Sequence, residues 1–137
     1  MPRERFRTQA CGRAEARTRL AQAKKFLEVA ELVATEREID ESASVAAALA
    51  VLAGIAAADA SSCTALGRRS RSQGHRDATA LVGQIAGGTE MATALGRLLD
   101  VKDTAQYGLI NLSGQQLSAA LRRARRLVEF ADALLRH

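Results

Sequence analysis

The sequence is poor in residues that interrupt or stiffen a chain. Its single proline lies at position 2, so nothing in the body of the chain forbids long helices. Aromatic residues make up 3% of the chain while 47% is apolar, so a core has to be built from Ala, Leu, Val and Ile. That set suits close helix packing more than strands. Two cysteines, Cys11 and Cys63, are too few for a disulfide framework, and neither sits in a CxxC or Cys/His ligand spacing. The expectation is two reduced thiols in a cytoplasmic protein, with no structural zinc. The longest wholly apolar run, Val45 to Ala58, falls short of the roughly 20 residues that span a bilayer, and the N-terminus lacks an apolar leader segment. A soluble protein with no membrane partner is expected. GxGxxG, GxxxxGK[ST], HExxH and GxSxG are all missing, as are paired acids and metal-ligand clusters. No cofactor is implied, and most enzyme classes lose sequence support.

What is present is arginine and alanine. The chain of 137 residues carries a net charge of +5, with lysine only at positions 24, 25 and 102. That length fits one domain with one core. The charge is unevenly distributed. Positions 1–25 hold eight Arg and Lys against two Glu, whereas 28–41 hold six acids against one Arg. Two further basic clusters stand at 68–76 and 122–126.

Apolar spacing places a first amphipathic helix from about Gly12 to Thr35, carrying Leu20, Ala23, Phe26, Leu27, Ala30 and Val33. TEREIDES reads as a connection, with Ser42 as the cap of an Ala-rich second helix that Gly67 ends. This second helix is apolar all round in its first half and should be central. Gly54 inside it costs about 1 kcal/mol of helix propensity relative to Ala, which predicts close approach of a neighbouring helix. A third short helix, with Ala78, Leu81, Val82, Ile85 and Ala86, runs to Gly87-Gly88. Thr89 caps a fourth, carrying Met91, Leu95, Leu98 and Leu99. Ser113 and Gln116 form a capping box for a last helix whose stripe is Leu117, Leu121, Ala124, Val128, Ala131 and Leu135. No strand pattern or internal repeat interrupts this. The expected fold is all-α, an up-and-down bundle of four to five helices over residues 13–137, preceded by a basic arm at 1–12.

The stretch GRRSRSQGHRDA, residues 67–78, carries the richest chemistry. Metal-independent RNA cleavage needs a proton-transfer group near neutral pH and cations for the charge developing at phosphorus. His75 with Arg69 or Arg68 supplies both types. Arg68, Arg69, Arg71 and Arg76 could equally hold a phosphate without chemistry. A polar turn after a helix in an arginine-rich chain is the plain alternative. Val45, Leu52, Asp59 and Leu66 recur every seven residues, which puts Asp59 near the apolar stripe of the second helix. A carboxylate there needs a partner, either a structural Arg or donor bond, or a role in orienting His75 or Arg69. Tyr107, the only tyrosine, reads as a half-buried anchor or a regulatory modification site. The arginines of the last helix read as a solvated face, or as a basic groove if they converge with 68–76.

The order of these features resembles HEPN domains. A long first helix, an Ala-rich second helix ending in Leu-Gly, and a turn whose His75 opens a short third helix with Leu81 are similar to that family. KDTAQYGLINLSGQQLSAALRRARRLVEFADALL looks like its closing segment, with Lys102, Gln106 and Tyr107 followed by Ser113, Leu117, Ala124 and Phe130. The likeness covers most of residues 13–135. It implies a helical bundle that usually forms a homodimer. Members act either as metal-independent endoribonucleases, many of them toxins, or as non-catalytic partners of small nucleotidyltransferases. In catalytic members an Arg and a His are separated by four to six intervening residues, a spacing that Arg69 or Arg68 with His75 meets. In several families that motif precedes the final helix, where this chain has Lys102 to Tyr107 and no histidine.

Two function classes follow. One is a dimeric module that binds RNA, other nucleic acid or a nucleotide phosphate through the Arg-rich turn, or docks a partner protein through the acidic segment 28–41. The other is a ribonuclease using His75, Arg69 or Arg68, and Asp59.

Overall fold

A computed structural model describes residues 7–36, 39–71, 76–107 and 112–137, with side chains for all of these except 103–107. The elements run β1 (Thr8–Ala10), α1 (Arg13–Val33), α2 (Asp40–Leu66), β2 (Arg68–Ser70), α3 (Arg76–Gly83), α4 (Thr89–Tyr107) and α5 (Gly114–Arg136). The fold is all-α, a helical bundle with one small two-stranded addition.

The helix ends follow local chemistry. At the start of α1, the Gly12 amide donates to Glu15 Oε2 at 3.0 Å. The bond from the backbone of Glu15 itself, and secondarily that from Gly12, holds the carboxyl below its ordinary pKa. α2 ends on Gly67 at φ 72°, the left-handed conformation that favours glycine. The Ser113–Gln116 box is reciprocal: Gln116 N donates to Ser113 Oγ at 3.1 Å and Ser113 N to Gln116 Oε1 at 2.9 Å. Other expected boundaries move. α2 begins at Asp40 rather than after Ser42, with Asp40 and Glu41 in its first turn, where the helix dipole favours acids. α3 stops at Gly83, short of Gly87-Gly88, and single turns carry the chain on. The Gly88 carbonyl accepts from Ala92, so Gly88, not Thr89, caps α4. A Cβ at Gly88 would collide with the carbonyl of Val82, which explains why a capping hydroxyl is not used there.

α2 is central and packs on α1, α4 and α5. Its inner face is nearly all alanine, with Ala47, Ala50, Ala57 and Gly54 buried. A Cβ built on Gly54 would lie 2.5 Å from Leu98 Cδ1 of α4 and 3.3 Å from Leu127 Cδ1 of α5. The helix propensity lost at Gly54 is therefore offset by burial of two fully enclosed leucines, each worth about 2 kcal/mol. α2 is also long and apolar enough to cross a membrane by length and composition, but two-thirds of that window (67%) is buried inside the bundle.

Two expectations fail at the end of the bundle where α1 begins and α2 ends. Strands occur: β1 and β2 pair antiparallel, Thr8 opposite Ser70 and Ala10 opposite Arg68. The pattern could not announce them, since three residues are too few to show a period. Nor are the cysteines reduced. Cys11, just after β1, is bonded to Cys63 in the last turns of α2, with the Cα atoms 5.2 Å apart across 52 positions. Folding lays the described part of the basic arm across that helix end and brings the two sulfurs together.

The seven-residue stripe of α2 also turns out differently. Val45 and Leu52 lie on the outer face, 50% and 40% exposed, while Asp59 on the same stripe is 7% exposed.

Candidate functional site

Asp59 is buried because three segments converge over it. Arg19, on the flank of the buried α1 stripe Ala16, Leu20 and Ala23, sends Nε and Nη2 to Asp59 Oδ2 at 3.0 and 2.8 Å. Arg69, projecting from β2, places Nη1 3.6 Å from the same oxygen. The Arg69 Nη2 donates to Gln9 Oε1 of β1 at 3.1 Å, and Arg19 Nη1 to Gln22 Oε1 at 2.7 Å. Two guanidiniums thus share one carboxylate that is nearly out of water. The attraction is strong there, but it largely offsets the cost of desolvating the carboxylate. Cys63, one turn along α2, closes the other side of the cluster.

This arrangement sorts the turn residues. Asp59 has the arginine partners that burial demands. Arg19 is one of them, and sequence reasoning missed it, although its place beside a buried helical stripe was a usable signal. Arg69 is tied to Asp59 and Gln9, and Arg68 Nη2 donates to Gln84 Oε1 at 3.2 Å. Both guanidiniums are engaged within the chain. Arg71 and Arg76 are exposed. His75 lies outside the described residues, as does the side chain of Tyr107, so the Arg-to-His geometry on which cleavage would turn lies outside them too.

A second basic surface forms elsewhere. Arg122, Arg123 and Arg126, at i, i+1 and i+4 on α5, face Arg97 and Thr93, at i+4 and i on α4. Together with Thr89, Glu90 and Ala94 they line an open groove of about 350 Å³. Arg126 pairs with Glu90 at 2.9 Å. Among the described residues, no carboxylate pairs with Arg97, Arg122 or Arg123. The arginines of the last helix thus converge with α4, and no residue of 68–71 lines their groove. The fourth arginine of that cluster, Arg125, turns to α1 and pairs with Glu31 at 2.7 Å. Glu28 pairs with Lys25 at 2.7 Å, so part of the acidic segment is also used within the chain.

Among the described residues no group of three or more His, Cys, Asp or Glu could hold a metal ion. The guanidinium-rich groove can bind a polyanion; it holds no described histidine and no unpaired carboxylate to move a proton. No protein-family model matches this chain, and no curated protein matches its sequence.

Proposed function

We propose that the protein is a non-catalytic helical module that binds the phosphates of nucleic acid or nucleotides, and does so through the α4/α5 groove. The observation that carries this reading is the gathering of Arg97, Arg122, Arg123 and Arg126 along one groove, three of them without an acidic partner among the described residues. Guanidinium is charged at every working pH, and its planar fork matches a phosphate. Among the described residues no aromatic side chain lines the groove for stacking on bases, so its contacts are to the backbone and insensitive to sequence. The resemblance to HEPN domains supports a binding module acting as a homodimer, with a nucleotidyltransferase-type protein as a further partner. The Arg-rich turn takes a secondary place because Arg68 and Arg69 are already engaged.

Anisotropy of a labelled RNA of about 20 nucleotides, titrated with protein at several salt concentrations, tests this. Neutralising three to four phosphates of a single strand gives a slope of log K against log salt of about −2 to −3. The Arg97→Ala/Arg122→Ala/Arg123→Ala variant should weaken binding at least about tenfold and flatten the slope, with helicity unchanged. A flat salt response of the wild type, or an unaltered slope in the variant, overturns the assignment. RNA cut in the presence of a chelator by wild type, but not by His75→Ala, would instead establish the ribonuclease reading, with Arg68 or Arg69 at the phosphate.

A further inference from the structure

The hold on β1 is unusually thin. The strand is three residues long and buries no apolar side chain: Thr8 is half-buried, and Gln9 and Ala10 are exposed. Beyond its ladder to β2 it is flanked by two backbone bonds, Cys11 N to Gly67 O and Arg71 N to Arg7 O, both 3.0 Å. Among the described residues a side-chain link, Arg69 to Gln9, is added. A two-stranded pair of this size is marginal in water. Charge works against it at one end as well: Arg7 lies beside Arg71, and like charges opposed across strands destabilise, while Arg68 and Arg69 face the neutral Ala10 and Gln9. Asp59 is the acid that the described structure brings to this cluster, and Arg19 already occupies it at closer range. The element that offsets these deficits is the Cys11–Cys63 bond. It joins the residue after β1 to a helix that the whole core holds in place.

We propose that Cys11–Cys63 is a thiol–disulfide exchange site at which a dithiol reductant unlatches residues 7–12 from β2 and leaves the five-helix bundle folded. Cys11 is half-buried whereas Cys63 is 3% exposed, so the sulfur open to attack is that of Cys11. A thiolate of the reductant bonds to Cys11 Sγ, the protein S–S bond breaks, and Cys63 leaves as a thiolate that takes up a proton. The second thiol of the reductant then attacks its own sulfur in the mixed disulfide and expels the Cys11 thiolate, which is protonated in turn. Two electrons pass to the protein, and the reductant departs as its disulfide. These are the only cysteines of the chain, so the reaction has two end states and no reshuffled one. In the reduced state Arg69 loses Gln9 but keeps Asp59, and the backbone edge of β2 is opened to solvent.

Hydrogen exchange of the full chain, purified without reductant and then treated with dithiothreitol, reads the latch directly. On reduction, amides of the 8–10 and 68–70 strand pair should become freely exchanging, while those in the middle of α2 and α5 stay protected and lose no more than the drop in global stability accounts for. The Cys11→Ser/Cys63→Ser variant should exchange fast in this pair with or without reductant. Thiol alkylation should add nothing to the oxidised protein and two groups to the reduced one. Two groups added before reduction would overturn the proposal, as would equal exchange of the strand pair in both states. Exchange of the α2 and α5 amides as fast as that of the strand pair on reduction would overturn it too, because the bond would then be holding the bundle and not a latch.

Discussion

The outer face of α2 divides into two halves that share a heptad position and little else. Toward the start of the helix, Val45 and Leu52 stand about half in water among the described residues. Toward its end, Asp59 and Cys63 are covered, the one by Arg19 and Arg69, the other by the chain at Cys11. The apolar residues are exposed and the acid is buried, the reverse of what their transfer energies favour. Burial here is decided by what crosses the helix, not by the side chain itself. The energy of the covered half lies in a cross-link and an ion-pair cluster, and the open half contributes little to stability.

The contrast can be broken from either side. The largest effect belongs to the disulfide. Closing a loop across 52 positions restricts the unfolded chain by about 4 kcal/mol, so the Cys11→Ser/Cys63→Ser variant should lose roughly that amount in guanidinium denaturation. Next comes Asp59→Ala, which leaves two guanidiniums facing each other without a carboxylate. Both arginines are about a third exposed, so solvent takes up part of the penalty, and a loss of about 2 kcal/mol is expected. Adding Arg19→Ala to Asp59→Ala should cost less than the two single losses combined, because the pair acts as a unit. Val45→Ser and Leu52→Ser, on the same stripe, should each change the unfolding midpoint by less than about 0.5 kcal/mol. A loss at Leu52 as large as that at Asp59 would show that the open half is covered in solution.

The smallest effect is a pH dependence between α1 and α5, away from both halves. Asp132 of α5 accepts from Lys24 Nζ at 2.8 Å and pairs with Arg136 at 2.7 Å. The Lys24 bond, more than the charge of Arg136, holds its carboxyl below the ordinary aspartate value of 3.8. A lowered folded-state pKa means stability that is fully present above 3.8 and is lost as pH falls through the lowered value. In Asp132→Asn this acid limb should be shallower, as followed by thermal unfolding between about pH 2 and about pH 6.

Much of the bundle was legible because it is local. Gly67 has the left-handed geometry expected at a helix end, Ser113 and Gln116 bond reciprocally, and most of the stripes of α1 and α5 is buried, with Phe26, Val33, Leu121 and Leu135 only half-buried. Gly54 meets the neighbouring leucines that its presence foretold. The reading went astray where two distant segments had to meet. Heptad spacing located the stripe of Val45, Leu52 and Asp59 but not its direction, since a helix apolar on every side gives no sign of which face is inward. The last-helix arginines were recognised as a cluster, but their partner Arg97 lies 25 positions earlier, outside any helical window.

Local chemistry along the chain set the helices, the caps at Gly67 and Ser113, an alanine-rich core and the need of Asp59 for a partner. These follow from backbone propensity, helical period and the cost of a buried charge, all of which act within a few turns. Only the tertiary structure decided that Arg19 meets Asp59 across 40 positions, that Cys11 meets Cys63 across 52, and that four arginines share one groove. Such pairings depend on how helices lie against one another, and no periodicity along the chain records that.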